Sequence, residues 1–296
     1  MNESAKKRIL QEAAALGLDA AGIVSFPLSS RLKAILKSSG SVPFAPSDIE
    51  ERLSPEALLP GARSALVILF PYKPPFREKG NLALYARSRD YHRVNHHYLS
   101  CLEEALHAHF PDASFYPVVD TSPMVDRFLA WSAGLGFYGK NHCLINETYG
   151  SWFTIGALLT TLPLEGDSPL PSRCGACRRC LDACPGRALT EEGFHPWRCK
   201  SWLTQKKEDL TEEEEAILRK TPLIFGCDAC QSCCPFNDHA APSPLPEMTE
   251  HRIPFLSRDR LNALSNRAFT QEYKDYAFSW RGKKILLRNL NIIEKN

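Results

Sequence analysis

Eleven cysteines stand in a chain of 296 residues, and nine of them fall between Cys174 and Cys234. The first group reads Cys174-x2-Cys177-x2-Cys180-x3-Cys184-Pro185. This is the run that holds iron–sulfur cubanes in bacterial ferredoxins, with the fourth cysteine ligating the other cluster. Three thiolates two residues apart can wrap one face of a cubane, and proline then fixes the exit of the chain. The second group is Cys227-x2-Cys230-x2-Cys233-Cys234-Pro235. Pro235 mirrors Pro185, so Cys234 takes the crossing role and completes the cluster of Cys174, Cys177 and Cys180. The other cluster takes Cys184, Cys227, Cys230 and one further ligand, for which Cys199 and Cys233 are candidates. Paired C-x2-C motifs also build structural zinc sites, but the ferredoxin run and the proline closing each group favour two 4Fe-4S clusters. Such clusters move single electrons and do no substrate chemistry of their own. Either the chain is a ferredoxin-like electron carrier, or the residues before 165 hold a second redox centre; the size of that region favours the second.

The elements ahead of the cysteines alternate. Ala65 to Phe70 reads as a buried strand, Ser114 to Val119 as a second, and Trp152 to Leu162 as a third. Between the first two, Val94, Tyr98, Cys101, Leu102, Ala105 and Leu106 recur at helical spacing, which predicts a helix over 90–110. Asp120 closes the second strand, and Ser122-Pro123 has the form of an N-cap and first helical position, predicting a helix to about Ser132. Gly134 to Lys140 is a glycine-rich loop, able to approach a ligand closely. Pro163 to Arg173 reads as a linker, and Thr211 with Glu214 as the capping box of a helix between the cysteine groups. The expected architecture is an α/β (α+β) domain over 1–165, a ferredoxin-like two-cluster module over 166–245 and a short helical tail over 246–296. Cys101 and Cys143 read as small structural hydrophobes.

The longest purely apolar stretch, Ala65 to Phe70, falls far below the roughly 18 residues that span a bilayer. Met1 to Leu16 mixes Lys6, Lys7, Arg8 and Glu12 with small residues, as a helix and not a secretory signal would, so the expectation is a cytoplasmic protein with reduced thiols and no membrane partner. The net charge of +2 is mild for a protein that binds a polyanion. Local basic groups exist nonetheless: Arg178-Arg179, Arg198 with Lys200, Lys206-Lys207, and Arg281, Lys283, Lys284 and Arg288 could form one stripe.

Further motifs carry a resemblance. They are Leu84-Tyr85-Ala86-Arg87-Ser88-Arg89-Asp90-Tyr91-His92, Val119-Asp120-Thr121-Ser122-Pro123, Gly134-Leu135-Gly136-Phe137-Tyr138-Gly139-Lys140-Asn141, Tyr149-Gly150-Ser151-Trp152, Arg198-Cys199-Lys200-Ser201-Trp202-Leu203-Thr204 and Phe225-Gly226-Cys227-Asp228. In this order, over roughly residues 60 to 296, the chain resembles the epoxyqueuosine reductases, iron–sulfur and cobalamin enzymes of tRNA modification. The resemblance implies a base-off cobalamin between the α/β domain and the cluster module, and it assigns Cys199 as the eighth cluster ligand, leaving Cys233 spare. It implies that Asp120 is the acid that protonates the opening epoxide, a role that requires burial under the corrin to outweigh the lowering of its pKa by a helix N-terminus. Tyr85, Asp90, Tyr91, His92, Lys140, Asn141, Ser201 and Asp228 are the expected cofactor contacts. A metal on His92 and His96, one helical turn apart, is not expected; His96 and His97 read as surface residues. The implied partners are tRNA carrying epoxyqueuosine and an electron donor of flavodoxin or ferredoxin type, with the protein a monomer. Many family members continue past the pattern at Leu286 to Leu290 into a helical-repeat extension; the sequence here ends at Asn296 and reads as a short form. Two other readings are a cobalamin-dependent reductase of a small molecule and a simple electron carrier.

Overall fold

In the computed structural model, which describes residues 2–295, the chain folds around a four-stranded sheet. Met1 and Asn296, the ends of the two terminal readings above, lie outside the described residues. The first half comprises α1 (Asn2–Ala15), β1 (Ala21–Ser25), α2 (Ser30–Ser39), α3 (Ile49–Leu53), β2 (Ser64–Pro71), α4 (Tyr91–His107), β3 (Phe115–Val118), α5 (Asp126–Ser132), a small hairpin of β4 (Phe137–Tyr138) and β5 (Leu144–Ile145), and β6 (Phe153–Thr160). The strands lie in the order β1-β2-β6-β3, every neighbour antiparallel, with Leu66 opposite Leu158 and Phe115 opposite Thr160. The strand–helix alternation of the sequence is therefore realised without a parallel pair.

Every residue of β2 is buried, because helices cover both faces of the sheet. On one face Leu66, Ile68, Phe70 and Leu158 pack against Ile9 and Ala13 of α1 and Leu99, Leu102 and Leu106 of α4. On the other, Ala65, Val67, Leu69 and Leu159 meet Leu129 and Ala130 of α5 and Ala133 just beyond it. Cys101 does not join this core: it sits half-buried on the flank of α4, beside the exposed His97.

Two expectations around Asp120 change. Ser122 N–H bonds the Val119 carbonyl at 2.9 Å and Ser122 Oγ accepts from Met124 N–H at 3.3 Å. These bonds close a turn in place of capping a helix, and α5 starts only at Asp126. Asp120 thus sits on a tight turn after β3, six residues ahead of α5 in the chain.

The cysteine-rich part carries α6 (Arg179–Asp182), α7 (Lys200–Leu203), α8 (Glu212–Arg219) and α9 (Ala229–Ser232). The Thr211–Glu214 capping box at the start of α8 is formed reciprocally. The chain then runs through α10 (Pro246–Thr249), α11 (Arg258–Ala263) and α12 (Asn266–Tyr273) to α13 (Lys283–Glu294). These last helices form no separate layer. Phe269, Phe278, Leu286 and Leu290 share one core with Leu82 and Ala86 and with Ile224 and Phe225. The fully buried Asn289 donates to the Thr204 and Ile224 carbonyls, both at 2.8 Å. Residues 81–83 in turn hydrogen-bond to Ile224 and Phe225, at 2.7 and 2.9 Å. Gly226 permits that approach: its φ is 71°, and a Cβ there would meet Ala83 Cβ at 2.5 Å. Among the described residues no helix is long and apolar enough to cross a membrane.

Candidate functional site

Asp120 is held by two aromatic neighbours from the start of α4. Tyr91 Oη donates to its Oδ2 at 2.5 Å, and His92 Nε2 lies 2.7 Å from its Oδ1. The other His92 nitrogen, Nδ1, is 2.7 Å from Asp90 Oδ1, so one imidazole bridges two carboxylates. Asp90 is also the N-cap of α4, accepting from His92 N–H, and this capping sets the start of the helix that presents Tyr91 and His92. The Tyr91 ring stacks on His92 with centres 4.1 Å apart. Burial works against an imidazolium, yet the bonds to Asp120 and Asp90 and their charges override it and raise His92 to about 10. Asp90 is pulled the other way: burial raises its pKa, but His92 outweighs it and the net shift is downward. His92 is therefore a cation at neutral pH. The Asp120 side chain itself is 41% exposed.

Asp120 and Tyr91 open onto a cavity of about 1340 Å³, counting the open space at its mouth. Its wall includes Tyr72, Tyr85, Arg52, Asp126, Arg127, Cys143, Ser151 and Gln231. Asp126 was not apparent in the sequence, where an acidic residue at a helix start is read as solvated. Burial, followed by the Asp120 charge, raises its pKa to about 8, with Arg127 opposing. The cavity thus holds a carboxyl, Asp126, that keeps its proton near neutrality.

The remaining expected contacts divide in two. The Ser201 hydroxyl and the Asp228 carboxylate lie against Tyr85 behind the cavity wall. Asp228 Oδ2 accepts from Leu84 N–H at 2.7 Å, while Oδ1 is buried without a partner; burial raises this carboxyl to about 6. Lys140 and Asn141 are not on the cavity wall, contrary to expectation. Lys140 N–H points at Cys174 Sγ, 3.4 Å away, and the buried Asn141 spans Cys143 N–H at 3.1 Å and the Cys230 carbonyl at 3.4 Å. The glycine loop turns these two residues toward the cysteines.

The cysteines gather in two groups. Cys174, Cys177, Cys180 and Cys234 face one another, and Cys233 stands with them. Cys199 is close to Cys184, Cys227 to Cys199, and Cys230 to Cys199 and Cys227. Burial and neighbouring thiols push Cys180 up to about 11, and burial followed by the Asp228 charge and the Cys199 thiol pushes Cys227 up to about 12. Such a set ionises only with a cationic centre among it, which is the donor chemistry of an iron–sulfur cluster. Backbone N–H groups aim at several sulfurs, as from Ala188 to Cys184 at 3.2 Å. Cys143, expected to be inert packing, touches Cys230 and lines the cavity, so the second group adjoins the cavity directly.

The basic stripe does not assemble as expected. Lys200 is 1% exposed, its Nζ donating to the Leu218 and Thr221 carbonyls at 2.6 and 2.7 Å. Arg178, Arg198 and Lys206 pair with Glu191, Glu213 and Glu214 at 3.0, 2.9 and 2.8 Å, and Arg288 is spent on backbone carbonyls.

A family model described as "4Fe-4S double cluster binding domain" matches residues 173–237, and one described as "Epoxyqueuosine reductase QueG, DUF1730" matches residues 52–121. The epoxyqueuosine reductase of Listeria monocytogenes is 37% identical over 261 residues, covering 83% of this chain and 67% of that protein. The chain belongs to the epoxyqueuosine reductase family. A crystal structure of an epoxyqueuosine reductase with an epoxyqueuosine-modified stem loop of tyrosine tRNA superposes with a TM-score of 0.88 at 32% identity, covering 99% of this chain and 81% of that one. The Bacillus subtilis member, solved with its catalytic aspartate loop swung out of the active site, superposes with a TM-score of 0.87 at 31% identity, over 99% of this chain and 82% of that one. Family membership sets the reductase reading above those of a simple carrier and of a small-molecule enzyme.

Proposed function

We propose that the protein reduces epoxyqueuosine to queuosine at the wobble position of tRNA, with Asp120 delivering a proton to the epoxide oxygen. The observation that carries this reading is the placement of an exposed aspartate, backed by a histidine cation, at a cavity that a cysteine cluster group adjoins. We assign Cys174, Cys177, Cys180 and Cys234 to one 4Fe-4S cluster and Cys184, Cys199, Cys227 and Cys230 to the other. We divide the roles along the chain as 1–165 for cofactor and substrate, 166–245 for the clusters and 246–296 for a tail, the tail sharing one core with parts of both others. A flavodoxin or ferredoxin supplies the electrons.

The cavity and its surroundings fit a cobalamin. Tyr85 would hold it at the wall, set in place by Ser201 and Asp228 behind its ring, and the polar Ser151, Arg127 and Gln231 side chains on the same wall suit the amides of a corrin. When bound, the cofactor supplies a strongly reducing metal centre for the epoxide. The net reaction takes two electrons and two protons and releases water. Epoxide opening leaves charge on oxygen, and a positioned acid is worth about 10²–10⁴-fold. His92 holds the proton that Asp120 passes on, Asp90 keeps the imidazole oriented, and Tyr91 fixes the second Asp120 oxygen. Asp126, protonated near neutrality, is placed to furnish the second proton. The deciding experiment is anaerobic incubation of the cluster-loaded protein with cobalamin, a strong reductant and tRNA carrying epoxyqueuosine, followed by mass spectrometry of the nucleosides. Queuosine should appear; unchanged epoxyqueuosine with both cofactors bound refutes the reading.

A further inference from the structure

Four aromatic side chains gather on the surface next to the cavity. Phe44 stands 5.0 Å from Trp202 and 5.6 Å from Trp280 between ring centres, and Trp197 extends the row 5.4 Å beyond Trp202. Arg281 lays its guanidinium 3.6 Å over the Trp280 ring and 5.3 Å from that of Phe44. Such rings are normally hidden in a core, yet Phe44, Trp197 and Trp280 are 57%, 49% and 54% exposed. The row is fixed in place: Trp280 Nε1 donates to Gln205 Oε1 at 3.0 Å, and Gln205 in turn donates to the Ser201 carbonyl at 3.0 Å. Phe44 adopts a φ of 64°, a region unfavourable to a residue with a Cβ.

The row meets the cavity wall at Phe44, which belongs to that wall together with Asp120 and Tyr91. Cations stand by it: Arg281 over Trp280 and Phe44, and Arg52 on the cavity wall that Phe44 shares, each with a buried Nε that has no partner. Exposed aromatic faces interleaved with guanidinium groups are the surface on which unpaired bases stack, and a nucleoside that reaches Asp120 brings its strand neighbours past this edge. We infer that Phe44, Trp280 and Arg281, with Trp197 and Trp202 beside them, form a stacking platform for the unpaired bases flanking the nucleoside that enters the cavity. The inference rests on the tRNA substrate proposed above.

The test compares two labelled RNAs of equal stem sequence, one a hairpin with a single-stranded loop and one a closed duplex, by fluorescence anisotropy with the anaerobic cluster-loaded protein. Trp280→Ala and Phe44→Ala should weaken hairpin binding about 5- to 100-fold, the range of one lost base stack, and leave duplex binding unchanged. Trp280→Phe, which keeps a π face, should recover most of the loss. Equal losses on both RNAs, no loss, or no recovery by phenylalanine would overturn the platform, and binding of a protein partner at this patch with RNA affinity unaltered would do the same. The visible cluster absorption band and Tm of each variant report on folding; if Trp280→Ala is unstable, Phe44→Ala on its surface loop carries the comparison. Wild-type protein that grips the loop through these rings but leaves epoxyqueuosine unreduced would refute the reaction and not the platform. Reduction at wild-type rate and affinity by both alanine variants would refute the platform alone.

Discussion

Replacing His92 with glutamine removes the cation that Asp90 and Asp120 share while retaining an amide that can still donate to one of them. The imidazole lies 2.7 Å from each carboxylate and its pKa rises from 6.5 to about 10. At about 1.36 kcal/mol per unit, the upper bound on the stabilisation is about 5 kcal/mol. The side chain is 34% exposed, and water screens the pair, which brings the expected contribution to about 1–2 kcal/mol. The sign follows from proton binding: above pH 6.5 the folded protein holds a proton that the unfolded chain has released. The stabilisation is thus complete below pH 6.5, declines as pH rises from there, and is gone above about 10. In anaerobic thermal scans at one rate, wild type should exceed His92→Gln in Tm by about 2–3 °C near pH 6.5, and the gap should close toward pH 10. Turnover of the variant should fall about 10²–10⁴-fold, because Asp120 loses its proton supply. A Tm gap that stays constant across this range, or widens with pH, would show that His92 does not carry the bridging charge.

Asp120→Asn should keep both clusters and bind cobalamin yet lose about 10²–10⁴ in kcat; wild-type turnover in that variant would remove Asp120 from the chemistry. Asp126→Asn should stabilise the protein as pH rises, since a carboxyl raised from 3.8 to about 8 costs the fold progressively between those values. A Tm gain of about 2–4 °C at pH 9 that vanishes near pH 4 is the expected pattern, and a gain independent of pH would contradict it. Iron analysis should find the full content of two clusters in Cys233→Ser and a deficit in Cys199→Ser; the reverse would exchange the two as ligands.

The elements that dominate the fold were legible because their signals are local. The apolar run Ala65 to Phe70 became a strand two residues longer, and the Thr211–Glu214 box capped its helix. Cysteine spacing left Cys199 and Cys233 as alternatives, because Cys199 stands apart from both runs in the sequence. The sense of the sheet was not legible, because antiparallel and parallel strands differ in their partners and not in their composition. The late start of α5 escaped because Ser122 can cap a helix or close a turn, and only the Val119 carbonyl decides between them. The His92 bridge joins residues 30 positions apart, Asp90 and Asp120, and no spacing rule reaches across that interval. Lys200 was placed on a basic surface from its charge alone, whereas three oxygen acceptors from Leu218 and Thr221 make its burial tolerable. Phe44, Trp202 and Trp280 come from three distant segments, so their meeting is a property of the fold.

The core shared by Leu82, Phe225, Phe278 and Leu286 has a practical consequence. The redox half cannot be lifted out along the seams that the sequence suggests. A fragment cut at residues 166 and 245 would lose the neighbours of Ile224 and Phe225 on both flanks and leave the carbonyls of Thr204 and Ile224 without the Asn289 amide. Anyone wishing to borrow it as a compact electron relay must transplant the helices beyond it as well, together with the strip around Leu82.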